Sequence, residues 1–289
     1  LAAPNEDAPP VAIVTLLEAG RSPRGKLRYT WHAQQGEQLA MDLRTSASTS
    51  MPGAAEQTAV PLPPVHIVVA IDPQSVSTEG DLHYAWRVSS ATVLDESSAP
   101  SPVVSGMRAE VSAVEHLAGT SIVTSRGLAK EVNVDRTTVT DAGATGQMVE
   151  QVRQTLRDVA APLPEEEVGV GARWQKQSEL DARETRITQT ETFALREWQA
   201  THGALDDSLA QSAPPQTLRA PGTAPAQARM ESMLASGNAS VRFDLSRLVP
   251  QTKFDGTTTM VVSGRSTADL ARRLTMVLHV SIVIAGSKR

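Results

Sequence analysis

Apolar and polar residues alternate with a period of two along most of this chain, and only one stretch follows the helical period. Strand side chains repeat every two residues and helix side chains every 3.6, so this pattern restricts the fold to a mainly β class. Strand-like stretches are Val11 to Glu18, Lys26 to His32, Leu39 to Leu43, Val65 to Ile71 and Leu82 to Val88. Thr120 to Thr124 and Leu128 to Val134 form a hairpin around Ser125-Arg126-Gly127. Further strands are Val168 to Gln177, Thr185 to Trp198, Leu205 to Ser212, Arg229 to Ala235, Ser240 to Leu245, Thr257 to Ser263 and the segment from Leu274. Thr45 to Pro64, Glu96 to Pro102 and Ala213 to Ala226 read as loops, Asp72-Pro73 as a strand stop, and Met107 to Val114 as partly alternating.

The exception is Gly146 to Ala160, where Val149, Val152, Leu156 and Val159 share one helical face and Pro162 and Pro164 lie beyond the end. With no other helix to serve as a crossover, neighbouring strands should be antiparallel. The expected architecture is a curved antiparallel sheet or half-barrel with one principal amphipathic helix, 146–160. Residues 1–10 read as a flexible leader and 11–289 as one β-rich domain, divisible into halves of about 11–140 and 162–289 joined by that helix.

The sequence offers little for chemistry. It has no cysteine, so disulfides, thiolate catalysis and Cys-ligated metals are excluded. Its six histidines lie more than five residues apart, with no local pair at metal-ligand spacing. Gly20 to Lys26 fits the glycine and lysine positions of a phosphate loop, but Leu27 stands where Ser or Thr must hold magnesium, and a strand-like alternation comes next instead of a helix. No serine-nucleophile elbow is present, and Glu165-Glu166-Glu167 reads as a solvated loop. A net charge of -5 without a basic face argues against a nucleic-acid partner. No apolar run reaches the roughly 18 residues of a membrane-spanning helix. Nine aromatic residues are too few for the girdles of a membrane barrel. The expectation is a non-enzyme without a cofactor.

Leu27-Arg28-Tyr29-Thr30-Trp31 and Leu82-His83-Tyr84-Ala85-Trp86 share the pattern L-x-Y-x-W and hold both tyrosines of the chain. The pair reads either as an aromatic strip lining a ligand groove or as a cross-strand cluster in the core. Tyr29, Trp31, Tyr84 and Trp86, with Val152 and Leu156 of the helix, are the candidate ligand-binding residues.

Pro162 to Trp174, a P-x-P, acidic, V-G-x-G-A-x-W segment, resembles a stretch of an uncharacterised family of bacterial exported proteins and lipoproteins well represented in myxobacteria. The opening Leu27 to Trp31, the turn Ser125-Arg126-Gly127 and the ending Phe243-Asp244-Leu245 are similar to the same family. The resemblance implies export and a β-rich fold, and no activity. The Ala/Pro/acidic start, Leu1 to Pro10, reads as the new terminus left by a removed leader, and the family's lipobox cysteine, with its lipid anchor, is expected to have gone with it. The expected location is the periplasm, the outer membrane or the cell surface. The expected role is binding or carrying an apolar or amphiphilic ligand such as a lipid. The alternative is a structural or assembly protein that pairs through its strands with copies of itself.

Overall fold

The computed structural model describes residues 12–33, 35–53, 58–94, 101–135, 144–182, 185–218, 228–265 and 271–289. The expected leader, 1–10, lies outside them. In chain order the first strands are β1 (Ile13–Glu18), β2 (Gly25–Lys26), β3 (Glu37–Ser50), β4 (Val60–Pro61), β5 (Val65–Val76) and β6 (Leu82–Val93). Helix α1 (Ser101–Ser112) precedes the hairpin of β7 (Ala118–Val123) and β8 (Ala129–Val134), and α2 (Ala144–Arg157) comes after it. The second half holds β9 (Glu167–Val168), β10 (Arg173–Ala182), β11 (Thr185–Gln199), β12 (His202–Ala213) and β13 (Gln216–Leu218). The long strands β14 (Ala228–Asp244), β15 (Gln251–Arg265) and β16 (Ala271–Lys288) come last.

One 14-stranded sheet runs in the order β1-β10-β11-β12-β14-β15-β16-β3-β5-β6-β7-β8, with β13 and β4 paired at the side of this path. Its ladders are antiparallel, including that of β6 with β7, whose connection contains α1. The path is open, with β1 and β8 as end strands, and β2 pairs with β9 apart from it. First-half and second-half strands meet three times, where β1 pairs with β10, where β3 pairs with β16 and where β2 pairs with β9.

Several boundaries differ from the sequence reading. Lys26 to His32 is not a strand of the large sheet beyond the short β2. Leu27, Tyr29 and Trp31 are nevertheless all buried, because an extended segment alternates whether or not it joins a ladder. Pro73 does not stop β5; the ladder shifts register between Pro73 and Ser75 and continues to Val76. Thr45 to Ser50 belongs to β3, and Arg229 to Leu245 is nearly all one strand. The expected single helix has a companion in α1, in a region read as a loop followed by partial alternation. Val104, Val111 and Val114 are buried and Met107 is half-buried, a helical spacing across its inward side. Pro102 falls in its first turn, where a missing N–H costs no hydrogen bond.

Helix α2 corresponds to the expected one but runs 144–157 rather than 146–160, so Val159 and Ala160 fall just past its end. Val152, Leu156 and Val159 are buried, and Val149 is partly buried against the same core. That core is continuous from Tyr84, Trp86 and Val88 of β6 through α2 to Trp174, Phe193 and Val241 in the second half.

Four distant segments meet beside it. Tyr29 N donates to Ser125 O at 2.8 Å and Thr30 N to Leu245 O at 2.7 Å. Leu163 N donates to Arg126 O at 2.8 Å, and the Trp174 indole donates to Pro162 O at 2.8 Å. Glu165 pairs with Arg28 at 3.0 Å and with Arg126 at 3.4 Å. These are the segments singled out in the sequence, and here they act as a tie between the two halves of the chain.

Candidate functional site

Residues from both ends of the strand order line one cavity of about 400 Å³. From the hairpin side come Leu128, Ala129 and Lys130; from α2 and its exit, Arg157, Asp158 and Ala160; from β10, Lys176 and Leu180. The volume lies within the roughly 300–1,000 Å³ of small-molecule sites.

The register places each polar wall residue. On β10 the inward row is Trp174, Lys176, Ser178 and Leu180, opposite Phe193, Glu191, Gln189 and Ile187 of β11. Trp174 and Phe193 stack with centroids 5.9 Å apart. One step further, Lys176 sends its ammonium inward where an apolar residue would continue the pattern. Lys176 Nζ lies 2.5 Å from Asp158 Oδ1 and 2.9 Å from Glu191 Oε2. Burial alone would lower its pKa, but the two carboxylates outweigh this and hold the ammonium protonated above its ordinary range. Asp158 comes directly after the last residue of α2, so this bridge fastens the helix end to β10 across the cavity mouth.

Asp207 faces the same interior from β12, directly opposite Phe193. Burial, with Glu191 and Asp158 nearby, raises its pKa to about 8 against the pull of Lys176. Its Oδ1 is buried without a hydrogen-bond partner among the described residues. Next along the face, Gln211 donates to Gln189 at 2.6 Å. The interior of β10 to β12 is thus mixed, with a polar patch of Lys176, Glu191, Asp207, Gln189 and Gln211 among Trp174, Phe193, Leu195 and Leu205.

Across β14 to β16 the same face becomes apolar. Met233 pairs with Met260 and Met260 with Met276, a row of three methionines over three strands. Met230 is buried at the next position on β14. The Phe254 ring lies over Gly237 and Gly256, where an added Cβ would meet it at 2.4 and 2.6 Å. Sequence reading missed both the methionine row and the Lys176 cluster. An unbroken alternation through Lys176 was the one available signal for the latter.

The six expected ligand-binding residues are all buried in the core, and none lines this cavity. Tyr29 and Trp31 stack at 4.5 Å and 7°, and the Tyr29 hydroxyl donates to Ala161 O at 3.2 Å. Burial raises the pKa of both Tyr29 and Tyr84. Trp86 packs on Gly119, whose added Cβ would meet the ring at 2.6 Å. The indole N–H groups of Trp31 and Trp86 have no hydrogen-bond partner among the described residues. Val152 and Leu156 sit on the face of α2 that enters the core, six and two residues before Asp158.

A wider hollow of about 780 Å³ lies on the opposite sheet face, between Pro61 to Pro64 and β14, β15, β16 and β3, with Arg44, Asp255 and His279 in its wall. It opens more broadly to solvent, and no helix of the described residues lines it. Among the described residues no three His, Asp or Glu side chains group to hold a metal ion. His66 instead pairs with Asp42, His202 with Asp244 and Thr201, and His279 with Thr257. No helix of the described residues is long and apolar enough to cross a membrane. Searches of family models, curated proteins and solved structures find no match for this chain.

Proposed function

We propose that this chain binds an amphiphile between its sheet and helix α2 and carries out no chemistry on it. The carrying observation is the cavity that joins an apolar wall of Leu128, Ala129, Ala160 and Leu180 to a charged rim of buried Lys176 and solvent-facing Asp158. Ion pairs held in a low-dielectric interior are weak contributors to stability, because desolvation offsets their attraction. A function in fixing a polar headgroup accounts for keeping one here. In this reading the sheet curls as a half-barrel around α2, supported by the residues of both its ends that line one cavity. Work in the cell envelope rests on the resemblance of the 162–174 segment to exported proteins.

The test is organic extraction of protein purified from its own host, followed by mass spectrometry. Stoichiometric amphiphile is expected in the wild type and at least about tenfold less in Leu180→Trp, which fills the cavity. Wild-type protein without stoichiometric lipid ends the reading.

A second reading is supported by the end strand β1, where Ile13 and Leu17 are 59% and 48% exposed. Such an edge suits addition of a strand from another subunit. Light scattering after size exclusion would show a concentration-dependent assembly that Leu17→Lys abolishes.

A further inference from the structure

We propose that the far end of β14, β15, β16 and β3 docks on the surface of an anionic lipid bilayer. Beyond the Phe254 ring, β15 runs a further ten residues to Gly264, or roughly 33 Å at strand rise. Its stretch Gly256 to Gly264 carries no charge, nor do Thr45 to Ser50 of β3 and Leu274 to Gly286 of β16, where His279 alone can ionise. On β14, Met230 to Ala239 holds only Glu231. Four adjacent strands therefore share one uncharged band.

Apart from Glu231, Asn238 and His279, both faces of the band are apolar or hydroxyl-bearing. One face carries the row of Met233, Met260 and Met276. The other carries Leu234, 63% exposed, with Thr259 and Val277 beside it in register. Leu234 is the one strongly exposed apolar side chain of the band among the described residues, with half-buried Val277 two strands away to extend it.

Charge fixes the partner. Arg229 and Arg273 are exposed at the end of the band, and Arg265 and Arg272 occupy the last position of β15 and the second of β16. Within these stretches the only acidic residue is Glu231, paired with Arg273 at 2.9 Å. The chain is acidic overall, yet this end is cationic. An apolar band tipped with arginines matches the acyl boundary and anionic headgroups of a bilayer. Two copies of this chain meeting end to end would instead oppose like charges.

The experiment is flotation of the full chain with vesicles of phosphatidylcholine alone or mixed with phosphatidylglycerol, at low and at molar salt. Binding is expected only to the anionic vesicles and only at low salt. Arg229→Ser and Arg273→Ser should each weaken partitioning about fivefold. Leu234→Asp with Val277→Asp should weaken it at least about tenfold, with circular dichroism and tryptophan fluorescence unchanged. If that double variant does not fold, the arginine variants and the salt dependence decide. Absence of binding to anionic vesicles, equal binding to both vesicle types, or binding unaffected by these substitutions overturns the proposal. So does a lipid-independent dimer that dissociates on changing Leu234 and Val277, which would make a second copy the occupant.

Discussion

Strand β14 passes through two environments within 17 residues. At one end Phe243, Val241 and Ala239 are buried and the residues between them are exposed, the alternation of a sheet with a core on one side only. At the other end Leu234 points to solvent while Met233 is only half-buried. The same backbone ladder continues through both, so hydrogen bonding does not distinguish them. What differs is membership of the core: Ala239, Val241 and Phe243 belong to the buried cluster that holds Trp174, Phe193 and Leu156, and Met233 and Leu234 do not. Strand length and strand burial are separate properties here.

Substitutions at the two ends should therefore differ in scale. Leu156→Asp should be the most damaging, because it places an unpaired carboxylate in the core at a position 1% exposed. A loss of at least about 4 kcal/mol is expected, enough to leave much of the protein unfolded in urea titrations that the wild type survives. Folding at wild-type stability would remove α2 from the core.

Lys176→Ala should cost about 1–3 kcal/mol at neutral pH, since the largely buried Glu191 would lose its cation while the exposed Asp158 would be screened by water. The urea midpoint measures this. A loss below about 1 kcal/mol would show that solvent reaches the cluster.

Asp207 sharpens the same region through pH. Its folded pKa of about 8 stands above the roughly 4 of an unfolded aspartate. Between these values the folded chain binds more protons, so stability falls as pH rises. The group contributes nothing below about pH 4, and its penalty is complete above about 8. Asp207→Asn should flatten this slope and raise stability at pH 9 by on the order of 1–3 kcal/mol, while leaving pH 4 nearly unchanged. Parallel slopes for the two proteins in urea titrations across this range would contradict the assignment.

The smallest effect belongs to the far end. Leu234→Asp should change stability by less than about 0.5 kcal/mol, because the side chain leaves little apolar cover when removed. Thermal unfolding of the variant checks this. A loss above about 2 kcal/mol would mean that the band is packed against something in solution.

The candidate site was only partly legible in the sequence. Val152 and Leu156 could be placed on the buried side of a helix because one helical period repeats through them. The aromatics Tyr29, Trp31, Tyr84 and Trp86 were found by their matching triplets, but the triplets do not share a secondary structure: one lies on β6 and the other in an extended tie. Helix α1 was obscured by Pro102, which read as part of a loop although proline suits a first turn. The 228–245 region read as two strands because Gly237 and Asn238 interrupt its pattern. In the fold, the Phe254 ring from the neighbouring strand covers that gap.

The sequence by itself determined the mainly β class, the position of α2 and which face of most strands is apolar. These rest on side-chain direction, which depends only on local backbone geometry. Tertiary structure alone decided that β1 lies beside β10 and β3 beside β16, that three methionines form one row, and that Lys176 meets Asp158 and Glu191. Such neighbours depend on strand register across long loops. A register shift of one residue reverses every facing pair without changing the local pattern.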